Sequence, residues 1–369
     1  MIRKRAMILI LAVLLLISGC EKALPELLPE QKAAADTLGI PAERLRELLA
    51  KPLYEFSETD VDIYLPYLQY TVPGLQERIK HLARKNLGQP YEIYLLGEHP
   101  AEIYDPQPLY ILDKSDCVVF CEHMIAMALA DDWQSFFAIL QRIRYKDGQI
   151  SYAARNHYGE YDWLSSNEWL VDNITADLAP EYQEFDTAHV NKTRFFGKRG
   201  VPYAMPEDSL VWNYVPIEVM PGILSQLRTG DIVNVVRGYK HNRWIGHFGF
   251  VMVDGDSVYF LHSTPPEVIQ QPFLEVLDKL QASNMEKKKA NLIAEEKNKE
   301  IKAFNESHEE QLPYEPLETL TLGYRFLRIK DDPLKHIMKP GQELRLQVVP
   351  VTPLALKTTR ADSVLRMIK

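Results

Sequence analysis

Apolar positions recur at helical spacing between Asp116 and Ala130, where Cys117, Phe120, Cys121, Met124 and Ala128 share one face. Ser115 or Asp116 stands where an N-cap belongs, so the pattern predicts a helix that starts at Cys117. A second helix is predicted over Gln76 to Leu87, ended by Gly88. The period then changes to two. Ile232 to Val236 follows the turn Thr229-Gly230-Asp231, His247 to Val253 alternates, and Ser257 to His262 returns after Asp254-Gly255. Gly323 to Ile329 and Leu344 to Val349 read as further strands. Residues 147–200 mix aromatics, charges and turn formers without a sustained period and read as an irregular insertion. From 277 to 310 lysine and glutamate dominate, with Leu277, Leu280, Leu292 and Ile293 as sparse apolar positions, which predicts a solvated helical arm.

The remaining chain divides around these elements. Arg3, Lys4 and Arg5 precede an apolar run from Ala6 to Ile17 and then Ser18-Gly19-Cys20, the order of parts in a secretory signal. The run is shorter than the roughly 20 residues that span a bilayer core. The small pair before cysteine resembles the lipobox of bacterial lipoproteins, which implies removal of residues 1–19 and diacylation of Cys20. Residues 20–75, broken by Pro25, Pro29, Pro41, Pro52, Pro66 and Pro73, read as a tether and helical collar. Residues 76–330 form the expected catalytic domain, and 331–369 a C-terminal extension. The chain carries a formal net charge of −9 over 369 residues, and the signal contributes only basic groups, so the exported part is more acidic still. Such a balance offers no basic footprint for nucleic acid. It fits a membrane-anchored protein on the periplasmic side of the envelope, with the outer membrane preferred to the inner.

Beyond Cys20 only Cys117 and Cys121 remain, four apart on one helix, where the geometry for a disulfide is poor. Several readings of Cys117 stay open: a buried core thiol, a zinc ligand with Cys121 and His123, or a nucleophile. A thiol in the first helical turn meets unpaired backbone N–H groups, which favour thiolate. The strands add the base. Asp-Gly between alternating runs is a strong hairpin signal, and a loop of Asp254-Gly255 sets His247 directly opposite His262. A loop of Gly255-Asp256 makes them diagonal neighbours on the same face. Bonded at His247 Nδ1, His262 would leave Nε2 toward Cys117. No Gly-x-Ser-x-Gly elbow, His-Glu-x-x-His helix or phosphate-binding loop is present.

The order Asp116-Cys117, Gly230-Asp231-Ile232-Val233, His247-Phe248-Gly249-Phe250 and Leu261-His262-Ser263 resembles that of the NlpC/P60 cysteine hydrolases. Within that superfamily the chain is similar to the DUF1460 branch. Its marks are Arg78-Ile79, Leu87-Gly88-Gln89-Pro90-Tyr91, Cys117-Val118-Val119-Phe120 with Glu122, Ile143-Arg144-Tyr145-Lys146-Asp147-Gly148, and Arg155-Asn156-His157-Tyr158 with Asp162-Trp163. The chain departs from that branch at Val119, where threonine is usual, at Ser263, where alanine is frequent, at Cys121, where an aliphatic residue is usual, and in the extra arm from Leu277 to Glu310. The resemblance implies an α+β, papain-like core in which an antiparallel sheet packs on the helix that carries the nucleophile. It implies Cys117 as nucleophile, His247 as base, His262 as orienting residue and Tyr91 beside the nucleophile. The activity implied is hydrolysis of the bond between N-acetylmuramic acid and L-alanine in peptidoglycan, with no metal or organic cofactor. The rival activities are a γ-D-glutamyl-diamino-acid endopeptidase and a non-catalytic wall-binding lipoprotein. Arg155, His157, Tyr158, Asp162 and Trp163 are candidates for gripping the sugar and stem peptide of a muropeptide, through aromatic faces and an arginine for carboxylates. A self-packed loop is the competing reading of the same five residues.

Overall fold

The computed structural model describes residues 24–337. The expected signal peptide, the Cys20 lipidation site, the strand at 344–349 and most of the C-terminal extension lie outside the described residues. The described chain divides between Lys51 and Pro52 into two compact units, so residues 52–75 of the expected collar fall within the larger one. The smaller unit holds α1 (Pro29–Leu38) and α2 (Ala42–Ala50). Gly39, at φ 68°, ends α1 with a left-handed cap that a side chain would oppose.

In the larger unit, α3 (Glu58–Thr71) starts from a Ser57/Asp60 capping box, and α4 (Leu75–Lys85) is the helix expected at 76–87, ending at an Asn86 cap two residues earlier. Helix α5 (Cys117–Leu129) starts where the pattern predicts. Asp116 Oδ1 accepts from the Val118 and Val119 N–H groups at 2.9 and 2.8 Å, satisfying two of the donors that a helix start leaves open. Every residue from Val119 to Ala128 is buried, so α5 is an interior helix and not only a one-faced one. Helix α6 (Trp133–Arg144) follows.

The strands form one antiparallel sheet in the order β2-β3-β8-β4-β5-β6-β7, with β1 also pairing with β8. They are β1 (Val171–Asn173), β2 (Glu184–Val190), β3 (Asp208–Pro216), β4 (Ile232–Tyr239), β5 (Asn242–Asp254), β6 (Ser257–Thr264), β7 (Glu267–Pro272) and β8 (Leu320–Ile329). The expected irregular insertion thus supplies two of them, and the β2–β3 pair widens the sheet. On one face Phe250 meets Phe120 of α5, ring centroids 5.9 Å apart. On the other, Val233, Val235, Val251, Phe260 and Tyr324 form a core closed by Phe273 and Leu277.

Those two residues lie in the first turns of α7 (Phe273–Ser307), which accounts for the arm expected at 277–310 up to Ser307. Beyond its base the buried residues of α7 are Asn284, Asn291 and Ile301. Asn284, Asn291, Asn298 and Asn305 each accept from the N–H and donate to the C=O of one residue in the returning chain: Thr321, Glu318, Glu315 and Leu312. Pro313 and Pro316 hold that returning strap extended.

Candidate active site

The β5–β6 turn decides how the histidines meet. Asp254 pairs with Ser257 and Val253 with Val258, so the loop is Gly255-Asp256 and the one-to-one opposition of His247 and His262 does not occur. The diagonal register replaces it. Gly255, at φ 57°, takes the left-handed turn position at no steric cost. The residue facing His262 in this register is Gly249, where an added Cβ would come within 2.8 Å of His262 Cβ and 2.4 Å of the Phe260 ring. Its bare backbone lets the imidazoles cross the diagonal, and His247 Nε2 lies 2.6 Å from His262 Nδ1.

This contact uses the other nitrogen of His247 from the one expected. Gln271 Oε1, on β7, lies 3.4 Å from His262 Nε2 and can only accept, so His262 presents Nδ1 as an acceptor. His247 then donates from Nε2 and keeps a free lone pair on Nδ1. Both rings are held neutral. Burial, then the neighbouring His262 and Arg237, push His247 well below the usual imidazole range. Burial lowers His262 to about 4, against the hydrogen bond it donates to Gln271.

Cys117 reaches the same place from α5. Registered pairing of β5 with β6 stops at Phe250 and Leu261, so the sheet opens beyond that pair. Val251 donates its N–H toward Asp231 on the β4 side, hence the alternate Phe248 N–H faces the opened side. There it supports the Cys117 sulfur. The helix start is fastened to β6 by buried hydroxyls. Ser115 Oγ lies 3.0 Å from Ser263 Oγ, which donates to the Ser115 carbonyl at 3.0 Å. Ser115 also bridges to Tyr91, whose half-buried ring stands close enough for a Cys117 thiolate to raise its pKa, after burial itself.

The expectation that a helix start favours thiolate is outweighed here. Burial first, then the Asp116 carboxylate, push the Cys117 thiol up to about 12, although the Phe248 and Val118 N–H groups and Arg237 oppose them. The resting site therefore holds a neutral thiol at the Phe248 N–H and a neutral imidazole on the preceding residue, His247. Cys121, one turn deeper, is fully buried among core residues. His123 Nδ1 is committed to the Val119 carbonyl at 2.8 Å. Among the described residues no group of three His, Cys, Asp or Glu side chains could hold a metal.

The five candidates from the 155–163 segment are mostly turned inward. Arg155 spends its guanidinium on Glu98, at 2.6 and 2.5 Å, and on Asp105 at 2.9 Å. His157 Nε2 is 2.7 Å from the Tyr152 carbonyl, and burial lowers its pKa to about 3. Asp162 accepts from the His157 and Tyr158 N–H groups and pairs with Lys192 at 2.8 Å. Trp163 is buried, donating to Glu122, which in turn pairs with Arg144 at 2.9 Å. Only Tyr158 is half-exposed with an uncommitted hydroxyl. This self-packed segment braces the sheet: Gly159 leaves room for the Phe248 ring, and Glu160 accepts the Ile245 N–H at 3.0 Å. Sequence reasoning missed Ser115, Arg237 and Gln271. Hairpin arithmetic extended to β7 offers Gln271, whereas Arg237 has no local signal.

Comparison with known proteins sets this geometry in context. A Legionella pneumophila protein of the family DUF1460 shares the fold, with a TM-score of 0.56 at 18% identity over 74% of this chain and 95% of that one. An N-acetylmuramoyl-L-alanine amidase from Bacteroides uniformis aligns at 19% identity with a TM-score of 0.45, over 69% and 99% of the two chains. No curated protein matches the chain. The family model described as AmiA-like, N-acetylmuramoyl-L-alanine amidase-like, matches residues 81–284, more than half of the sequence and the whole of the Cys117, His247 and His262 cluster. The chain belongs to the AmiA-like, N-acetylmuramoyl-L-alanine amidase-like family.

Proposed function

We propose that the chain is a cysteine hydrolase of NlpC/P60 type that cuts the amide between N-acetylmuramic acid and L-alanine in peptidoglycan fragments. The observation that carries this reading is the 2.6 Å His247–His262 contact at the opened end of β5, with the Cys117 sulfur at the adjacent Phe248 N–H.

The chemistry follows from the neutral resting pair. His247 Nδ1 takes the thiol proton as sulfur attacks the lactyl carbonyl, so charge appears only as the S–C bond forms. The oxyanion meets the Cys117 backbone N–H, which has no partner among the described residues, and the Tyr91 hydroxyl, which burial keeps protonated. His247 returns the proton to the departing alanine nitrogen as the C–N bond breaks. Water then attacks the thioester, giving its proton to His247, and the sulfur leaves and is reprotonated. His262 and Gln271 keep the imidazole in the tautomer with a free Nδ1.

Acylation of Cys20 would hold this site at a membrane on the periplasmic side, facing wall fragments. Incubation with defined muropeptides tests the reading by mass spectrometry. Release of intact stem peptide from N-acetylmuramic acid, absent with Cys117→Ala, is the expected result. Cleavage within the peptide, or turnover that survives Cys117→Ala, would overturn it.

A further inference from the structure

Arg237 is the unspent cation of the site. It lies on β4, exposed, two residues from Val235, which pairs directly with His247. Strand alternation returns its side chain to the face of Val235 and His247. Between the two rows, β5 carries one extra residue, Gly246, as the partner of Val235 is His247 and the partner of Val236 is Ile245. The arginine stem lies across that bulge, where an added Cβ would come within 2.6 Å of Arg237 Cδ. A side chain there would push the stem away.

The guanidinium stands near enough for its charge to act on Cys117, His247 and Tyr91, three groups on three separate elements. Yet among the described residues it makes no hydrogen bond and no ion pair. Arg144, Arg155 and Arg328 are each paired with carboxylates in this acidic chain. An exposed arginine left free beside a nucleophile is a receptor for an anion that arrives with the substrate.

We propose that Arg237 binds a free carboxylate on the amine side of the scissile amide and so selects stem peptides that bear an acid near that bond. The inference rests on the muropeptide reading. In that substrate the acyl side is a sugar whose lactyl carboxyl is already consumed in the amide, so negative charge close to the bond belongs to the departing peptide. A γ-linked glutamate after the alanine presents its free α-carboxylate there, and an isoglutamine does not.

The test compares two muramyl dipeptides that differ only in that acid or amide. Wild-type protein should prefer the acid by about 10-fold or more in kcat/KM, the usual weight of a hydrogen bond to a charged group. Arg237→Gln should abolish the preference, with the change in KM, and Arg237→Lys should restore part of it. Any influence of Arg237 on the thiol is common to both substrates and cancels in the ratio. An unchanged ratio in Arg237→Gln, or no preference in the wild type, overturns the proposal while leaving the amidase reading intact. A second arm needs no turnover: calorimetry of L-alanyl-D-glutamate against L-alanyl-D-isoglutamine with the Cys117→Ala protein. Acid-dependent binding lost on adding Arg237→Gln supports the role of Arg237. Its persistence, or its absence from the start, overturns that role even if no muropeptide is cut.

Discussion

The centre of the molecule and its arm solve the same problem in opposite ways. In both, a helix lies along extended chain. Helix α5 is buried from Val119 to Ala128 and is fixed against β5 by ring and aliphatic packing, such as Phe120 on Phe250. Helix α7 is exposed along most of its 35 residues, and beyond its base asparagines bond the backbone of the strap. Apolar packing is directionless and tolerates a thiol at its margin, where Cys117 sits. Asparagine bonding specifies register residue by residue while burying little area. The first arrangement suits a site that needs a dry, lowered dielectric. The second suits an element that must keep its alignment in water.

The comparison breaks first at Cys117, the proposed nucleophile. Cys117→Ala should lower hydrolysis by at least about 10³-fold with the thermal midpoint nearly unchanged, since the core lies one turn below; muropeptide turnover and calorimetry measure the two together. Next comes the proposed orienting contact. His262→Ala should cost roughly 10²-fold in kcat/KM with secondary structure intact, and a wild-type rate would show that the diagonal contact is only packing.

The pH profile sharpens the same point. A free histidine loses activity as pH falls through its usual value near 6.5. Here His262 is lowered to about 4 and His247 lies below the usual range, so the acid limb of kcat/KM should sit near pH 4. Protonation of His262 removes its acceptor nitrogen, so activity is lost as pH falls, not as it rises. With the thiol pushed up to about 12, iodoacetamide labelling of Cys117 should climb steadily from neutral to alkaline pH.

The arm answers to a different change. Asn291→Ala removes both part-buried hydrogen bonds to the Glu318 backbone and should destabilise by about 1–3 kcal/mol. Faster hydrogen exchange confined to the strap at 312–321 would identify the loss as local. The smallest expected effect is that of Cys121→Ala, about 1–2 kcal/mol of stability with activity retained, read from denaturant midpoints.

What the sequence disclosed follows the same division. Periodicity located α5, its Asp116 cap and the hairpin that carries His247 and His262, because apolar alternation and capping are local signals. The hairpin register went astray by one choice of loop, since Asp254-Gly255 and Gly255-Asp256 satisfy the same turn chemistry and only packing around Gly249 separates them. The 155–163 residues have the composition of a carbohydrate-binding surface, yet Glu98, Asp105 and Lys192, distant in sequence, draw Arg155 and Asp162 inward. In the arm, the signal was written in asparagine rather than in hydrophobic residues. Asn284, Asn291, Asn298 and Asn305 recur every seventh position, a pattern hidden among lysines and glutamates when only apolar residues are counted.

That spacing has a metric consequence. Seven residues of α-helix advance about 10.5 Å, and three residues of extended chain advance about 9–10 Å. One asparagine in seven therefore meets one backbone unit in three, from Leu312 to Thr321, with little accumulated drift. The arm behaves as a ruler with a fixed graduation. It can be lengthened or shortened only by whole divisions of about ten residues, seven in the helix and three in the strap. A single-residue insertion in either rail would put every later graduation out of step, so the reach of the arm is a discrete quantity.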